Sequence, residues 1–337
     1  MTWHLFLRSC CLTFALVFCC PISAFANKDW NQFKSAYIEN GRVIDKAQNG
    51  ISHTEGQGMA LLLAVQNDDP DTFTQIWEWT QRNLQVREDK LFAWSWSPGI
   101  GVNDLNNATD GDLFIAWALS KAYKKWSEPR YLFAGIQVSQ SIREKLLRKT
   151  NKGLVILPGA MGFEKSEYLK LNLSYWVFPA INELSNLDPS PEWEDLRLTG
   201  LKLIEEARFG KWQLPADWLR LQGNVIIPTD DDRFGYDAVR IPLYLIWGQQ
   251  AASSNLRPFQ NFWSSFAGKP LLPAWVNVNT GEMATYNASS GFQSIATLTL
   301  AYPQIESISL PIFNSSQGYY SSMLSLFTKL VLEDLNK

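Results

Sequence analysis

What this chain has least of is cysteine and histidine, and both shortages narrow its chemistry. All four cysteines, Cys10, Cys11, Cys19 and Cys20, lie within the first 20 of 337 residues. Arg8 is the only charged residue before Lys28, an apolar stretch follows it, and Ala24-Phe25-Ala26 closes the stretch with an A-x-A pattern. That apolar core is shorter than the roughly 20 residues a spanning helix needs. The segment reads as a signal peptide over residues 1–26, cleaved after Ala26, with export to the periplasm or beyond. Phe18 stands where a lipoprotein signal would carry a small residue before Cys19. The exported chain then holds no disulfide, thiolate metal site or cysteine nucleophile. It must rely on a large apolar core, which about 311 residues can supply.

Once His4 leaves with the leader, His53 is the one remaining histidine. Zinc sites built on two or three histidines are excluded, and so no metal or cofactor is expected. No G-x-S-x-G elbow is present, so a Ser-His-Asp arrangement has no support beyond His53. Positive charge is also scarce. Without Arg8 the 30 basic residues become 29, against 33 acidic ones, a formal charge near −4. That balance argues against nucleic acid and anionic membranes as partners. If the chain is an enzyme, carboxylates are its catalysts.

Tryptophan is abundant, with 14 of 15 outside the leader. Some belong to the core; a sugar-binding cleft also needs exposed aromatic faces for pyranose C–H surfaces. Helical periodicity predicts helices near 28–40, 56–67, 70–85, 110–126, 130–148, 174–185, 191–206, 236–250, 256–266, 288–302 and 317–334. Phe73, Ile76, Trp77 and Leu84 form one stripe, with Asn67-Asp68-Asp69-Pro70 as its start signal. Trp77 and Trp79 read as structural. Only 153–160 and 223–228 look strand-like. No linker divides residues 27–337, so we expect one all-α domain, with paired inner and outer helices closed into a ring.

Three acidic stretches stand out. ISHTEGQGMALLLAVQ (51–66) places Glu55 before an apolar run. Two readings of Glu55 stand side by side. Ser52-x-x-Glu55 has capping-box spacing, which would make the acid a helix cap. Alternatively, Glu55 faces a cleft as a proton donor. NNATDGDLFIAW places Asp110 and Asp112 at a helix start, with Thr109-x-x-Asp112 again at cap spacing, and FGYDAVRIPLYLIWG places Asp237 before another. Acids in a first turn favour the helix dipole by about 0.3–1 kcal/mol on their own. Yet each is flanked by small residues, which would admit a ligand to the backbone: Gly56 and Gly58, Gly111, Gly235 and Ala238. Each also has aromatics close by: Trp94 and Trp96, Trp117, and Tyr236. Two such acids at one mouth meet the needs of glycoside hydrolysis, in which one protonates the leaving oxygen and the other activates water.

At these motifs the chain resembles glycoside hydrolase family 8. Thr54-Glu55-Gly56-Gln57-Gly58 matches the family's Ser-Glu-Gly-Gln-Gly, and Ala108-Thr109-Asp110-Gly111-Asp112 with Ile115-Ala116-Trp117-Ala118-Leu119 matches its second motif. Tyr236-Asp237-Ala238-Val239-Arg240-Ile241-Pro242, Asn172-Leu173-Ser174-Tyr175 and Ala93-Trp94-Ser95-Trp96 match in order and spacing. The resemblance implies an (α/α)6 barrel and inverting endo-hydrolysis of β-1,4-glucan. It resembles in kind the periplasmic cellulases that accompany bacterial exopolysaccharide secretion. Glu55 then corresponds to the general acid, Asp237 to the general base, and Asp110 to the carboxylate that orients the sugar. Trp94, Trp96, Asp112, Tyr175, Tyr236, Arg240 and Gln57 are expected to bind substrate, in a monomer that is free of the membrane after leader cleavage. Met59 departs from the family's usual aromatic. Xylan, mixed-linkage glucan or chitosan remain alternative substrates, and a non-catalytic glycan-binding relative an alternative role. Asp230-Asp231-Asp232 reads as a solvated loop or a calcium site, and His53 as a loop residue supporting the acid.

Overall fold

The computed structural model describes residues 22–306 and 308–336. The expected leader thus falls outside the described residues up to position 21. Eleven helices occur among the described residues: α1 (Ile22–Tyr37), α2 (Thr54–Gln66), α3 (Pro70–Leu84), α4 (Thr109–Trp126), α5 (Pro129–Leu146), α6 (Phe178–Leu187), α7 (Pro191–Glu206), α8 (Arg240–Trp247), α9 (Ser253–Ser264), α10 (Ser290–Ala301) and α11 (Tyr319–Leu335). Every one overlaps a helix predicted from periodicity.

Six of them close a ring. α2 packs on α4, α4 on α6, α6 on α8, α8 on α10, α10 on α11, and α11 returns to α2. Two of these inner helices are buried nearly all round: residues 56–65 of α2 and all of α8. A helix with no polar face must be surrounded by protein. The outer helices are one-sided. α3 buries Phe73, Ile76, Trp77 and Leu84, the predicted stripe, and packs on α2. α5 covers α4 and α6, α7 covers α6, α9 covers α10, and α1 covers α11. The arrangement is the expected (α/α)6 barrel, with no sixth outer helix among the described residues between α10 and α11.

Among the described residues, strands are confined to five small antiparallel sheets in the connections. The two expected ones are present as Gly153–Ile156 and Val225–Pro228. Ser52–His53 also forms a strand, in which Ser52 pairs with Trp96 and His53 with Ser95. That pairing aims the chain into α2 and fixes the Trp94 loop beside it. Among the described residues no helix is long and apolar enough to cross a membrane.

Candidate active site

Inner helices begin at one end of the ring, and that end collects the acids. Glu55 is the second residue of α2 and Asp110 the second of α4. Asp237 lies three residues before α8 begins at Arg240. The connection into α6 brings Asn172, Ser174 and Tyr175 to the same place.

The capping boxes are not there. The N-cap of α2 is His53, whose Nδ1 accepts from the Gly56 amide at 3.1 Å. Ser52 is committed to the sheet: its Oγ donates to the Val43 carbonyl and accepts from Arg42 Nε at 2.9 Å. Glu55 is therefore relieved of cap duty. Likewise α4 has no side-chain cap, because Thr109 Oγ1 donates to the Leu157 carbonyl at 2.6 Å.

The small residues also differ from expectation. A Cβ on Gly111 would stand 2.1 Å from Thr54 Oγ1 and 2.8 Å from the Glu55 amide; one on Gly58 would stand 2.6 Å from Phe114 Cβ. These glycines let α2 and α4 touch, rather than admit a ligand. The contact brings Glu55 and Asp110 together.

Arg240 joins the three acids. Arg240 is 2 % exposed. Nη1 donates to Glu55 Oε1 and reaches Asp110 Oδ2 at 3.4 Å; Nη2 donates to Asp237 Oδ1 at 2.7 Å and Ser174 Oγ at 3.0 Å. A planar fork with fixed nitrogens sets the spacing of whatever it binds. Three carboxylates around one cation leave an excess of negative charge in a buried place, and the pKa values respond. Asp110 is pushed up to about 7, by burial first and then by the charge of Glu55. Burial also raises Asp237; Arg240 pulls it down, and Glu55 pushes it up again. Burial and crowding of like charge thus bring proton exchange at Asp110 close to neutral pH, the range useful to acid–base catalysis.

Tyr175 is partly exposed and lies within the field of all three acids and Arg240, with its ring edge-on to Trp218 at 6.2 Å. Tyr236 is 50 % exposed, its hydroxyl 3.4 Å from that of Tyr286. Trp94 is partly buried and donates from Nε1 to Asp104 at 2.7 Å. Trp96 packs edge-on to Trp79, with Arg42 over its ring at 4.8 Å. Trp77 is core, as expected.

Two expected substrate contacts are instead internal supports. Gln57 has 0 % exposure; its Oε1 accepts from the Val43 amide at 2.6 Å, and its Nε2 donates to Gly41 O at 3.1 Å and Thr80 Oγ1 at 2.7 Å. Asp112, also at 0 %, accepts from the Phe92 amide at 3.0 Å and Asn107 Nδ2 at 2.7 Å. With no exposed surface, neither can reach a sugar. Asp230 and Asp231 each pair with an arginine, and Asp232 accepts from Asn277 and Asn279. Sequence reasoning missed Tyr320, whose hydroxyl donates to the Tyr236 carbonyl at 2.5 Å, and Asp217 behind Asp237. Neither sits in a motif that singles it out.

Comparison with known proteins shows the family. The family described as glycosyl hydrolases family 8 matches residues 5–334. A probable endoglucanase of Novacetimonas hansenii is 38 % identical over 306 residues, covering 89 % of this chain and 88 % of the relative. The solved structure of an endo-β-1,4-glucanase from Acetobacter xylinum superposes with a TM-score of 0.88 at 35 % identity, over 94 % of this chain and all (100 %) of the other. A family 8 endoglucanase from Klebsiella pneumoniae gives 0.86 at 34 %, over 91 % and 99 %.

Proposed function

Since the chain belongs to family 8 of the glycosyl hydrolases, we propose that it is an endo-β-1,4-glucanase that cuts cellulose-like chains with inversion. The observation that carries the reading is the buried Arg240 fork holding Glu55 and Asp237 on separate nitrogens, with Asp110 beside them. The names of its relatives support the substrate class.

Glu55 is the general acid. Its Oε1 is occupied by Arg240, which leaves Oε2 to carry the proton; Oε2 faces His53 Nδ1 at 4.0 Å, whose lone pair already serves Gly56. Glu55 gives that proton to the glycosidic oxygen as the bond to the anomeric carbon breaks. Asp237 takes a proton from water as the water's oxygen bonds to the opposite face of that carbon. Glu55 ends ionised and Asp237 protonated, and exchange with solvent resets both. The separation suited to this is about 6.5–9.5 Å between carboxyls, with room for water. Asp110, buried between helices, orients the sugar hydroxyls. Tyr175 and Tyr236 line the groove.

The enzyme acts as a monomer after export, the residue 1–26 leader being removed. N-terminal sequencing of the exported protein should begin at Asn27. A reducing-sugar assay of folded protein on carboxymethylcellulose, xylan, lichenan and chitosan tests the substrate. Carboxymethylcellulose should be cleaved best, and inactivity on all four would overturn the reading.

A further inference from the structure

The loop carrying Asp237 is held from behind by a carboxylate outside every motif. Asp217 is 7 % exposed and precedes the strand Leu219–Gln222. Its Oδ1 accepts from three amides of one turn: Gly235 at 3.0 Å, Asp237 at 3.2 Å and Ala238 at 2.7 Å. Its own amide donates to the Arg233 carbonyl at 2.7 Å, so the two segments are tied in both directions. Gly235 fits this contact: a Cβ there would stand 3.1 Å from Asp217 Oδ2 and 3.2 Å from Trp275 Cβ. One acceptor thus serves amides that would otherwise lie unpaired at the entry to α8.

We propose that Asp217 is the positioning residue of the catalytic base: it fixes the turn that aims Asp237 and places a second negative charge behind it. The proposal rests on the assignment of Asp237 as base. From its front, Asp237 is gripped by Arg240 at 2.7 Å; from behind, its own amide is gripped by Asp217. Both grips are needed, because a base displaced by about 1 Å can lose on the order of 10²-fold in rate. The charge also matters. Asp217 is raised to about 7, by burial first and then by the charge of Asp237, while the three amides act in the opposite sense. Arg233 and Tyr236 also feel Asp217, while Arg240, Glu55 and Asp110 face Asp237.

Two variants separate position from charge. Asp217→Ala removes both. Asp217→Asn keeps an oxygen for the amides and removes the charge. On a soluble β-glucan, Asp217→Ala should lose about 10²-fold in kcat with little change in KM. Asp217→Asn should restore much of that rate and move the acid limb of kcat to lower pH, since Asp237 then ionises without a like charge behind it. Independently of activity, wild-type stability should fall from about pH 4 to about pH 7, where this pair keeps a proton that the unfolded chain has lost, and Asp217→Asn should flatten that fall. Wild-type kcat in folded Asp217→Ala would overturn the positioning role. An unmoved acid limb with an unchanged stability profile in Asp217→Asn would overturn the charge coupling. If wild type proves inactive on β-glucans, the substrate assignment fails, and the stability profile still decides whether the pair is coupled.

Discussion

Arg240→Met removes the cation while keeping a long apolar side chain. In the wild type one guanidinium serves Glu55, Asp110 at 3.4 Å, Asp237 at 2.7 Å and Ser174 at 3.0 Å, at 2 % exposure. Taking away one partner of a buried ion pair costs about 3–5 kcal/mol, because the partner's charge is left uncompensated. Carboxylates can relieve that charge by binding protons, so the cost depends on pH. The sign follows from the pKa values. Asp110 already stands at about 7 with Arg240 present, and Asp237 is also raised. Without the cation both go higher, while an unfolded aspartate stays near 3.9. Between those limits the folded state binds more protons than the unfolded one, so stability falls as pH rises. Each pH unit over which one extra proton is retained is worth about 1.4 kcal/mol. The penalty of Arg240→Met should thus be largest near pH 8 and smaller by roughly 3–4 kcal/mol at pH 5, if one further proton is held throughout. Urea unfolding followed by tryptophan fluorescence at both pH values measures it. A loss equal at pH 5 and 8, or one below about 1 kcal/mol at pH 8, would refute the reasoning that Arg240 balances buried charge.

Glu55→Gln should lower kcat by about 10²–10⁴-fold, the range of general-acid catalysis, and leave stability within about 1 kcal/mol, because His53 and not Glu55 caps α2 and because Asp110 and Asp237 still balance the Arg240 charge; a rate above a tenth of wild type would return Glu55 to a structural role. Gly111→Ala should cost about 1–3 kcal/mol and also depress kcat, since its Cβ meets Thr54 and the Glu55 amide rather than a flexible side-chain end; wild-type melting and rate would show that α2 and α4 have room to part. Proton NMR of the first product from a β-linked glucan should show the α-anomer. A β-anomer would make Asp237 or Asp110 a nucleophile.

The ring of helices was legible because burial imposes a period, and the period is written in the residues. Where expectation and structure part, a local interaction overrides that period. The helix expected from 236 begins at Arg240, since Asp217 holds residues 235–238 in a turn. The helix expected from 174 begins at Phe178, because Asn172 Oδ1 accepts from the Ser174 amide at 3.0 Å and closes a 3₁₀ turn first. Strands of two to four residues carry little alternation, and apart from Gly153–Ile156 and Val225–Pro228 they are not readable in the sequence. The two apparent capping boxes failed for a related reason. Spacing shows that Ser52 and Thr109 can reach a helix amide, but not that a strand partner or a distant carbonyl has already claimed their hydroxyls. The candidate acids stand out by motif resemblance, and their mutual geometry is not readable in the sequence at all. Glu55, Asp110 and Asp237 meet only because glycines let α2 and α4 touch and the ring carries Arg240 across to both. Asp217 lay beyond reach for the same reason. A lone acid between Ala216 and Trp218, outside any helix start, acquires meaning only once folding sets it against the amides of residues 235–238.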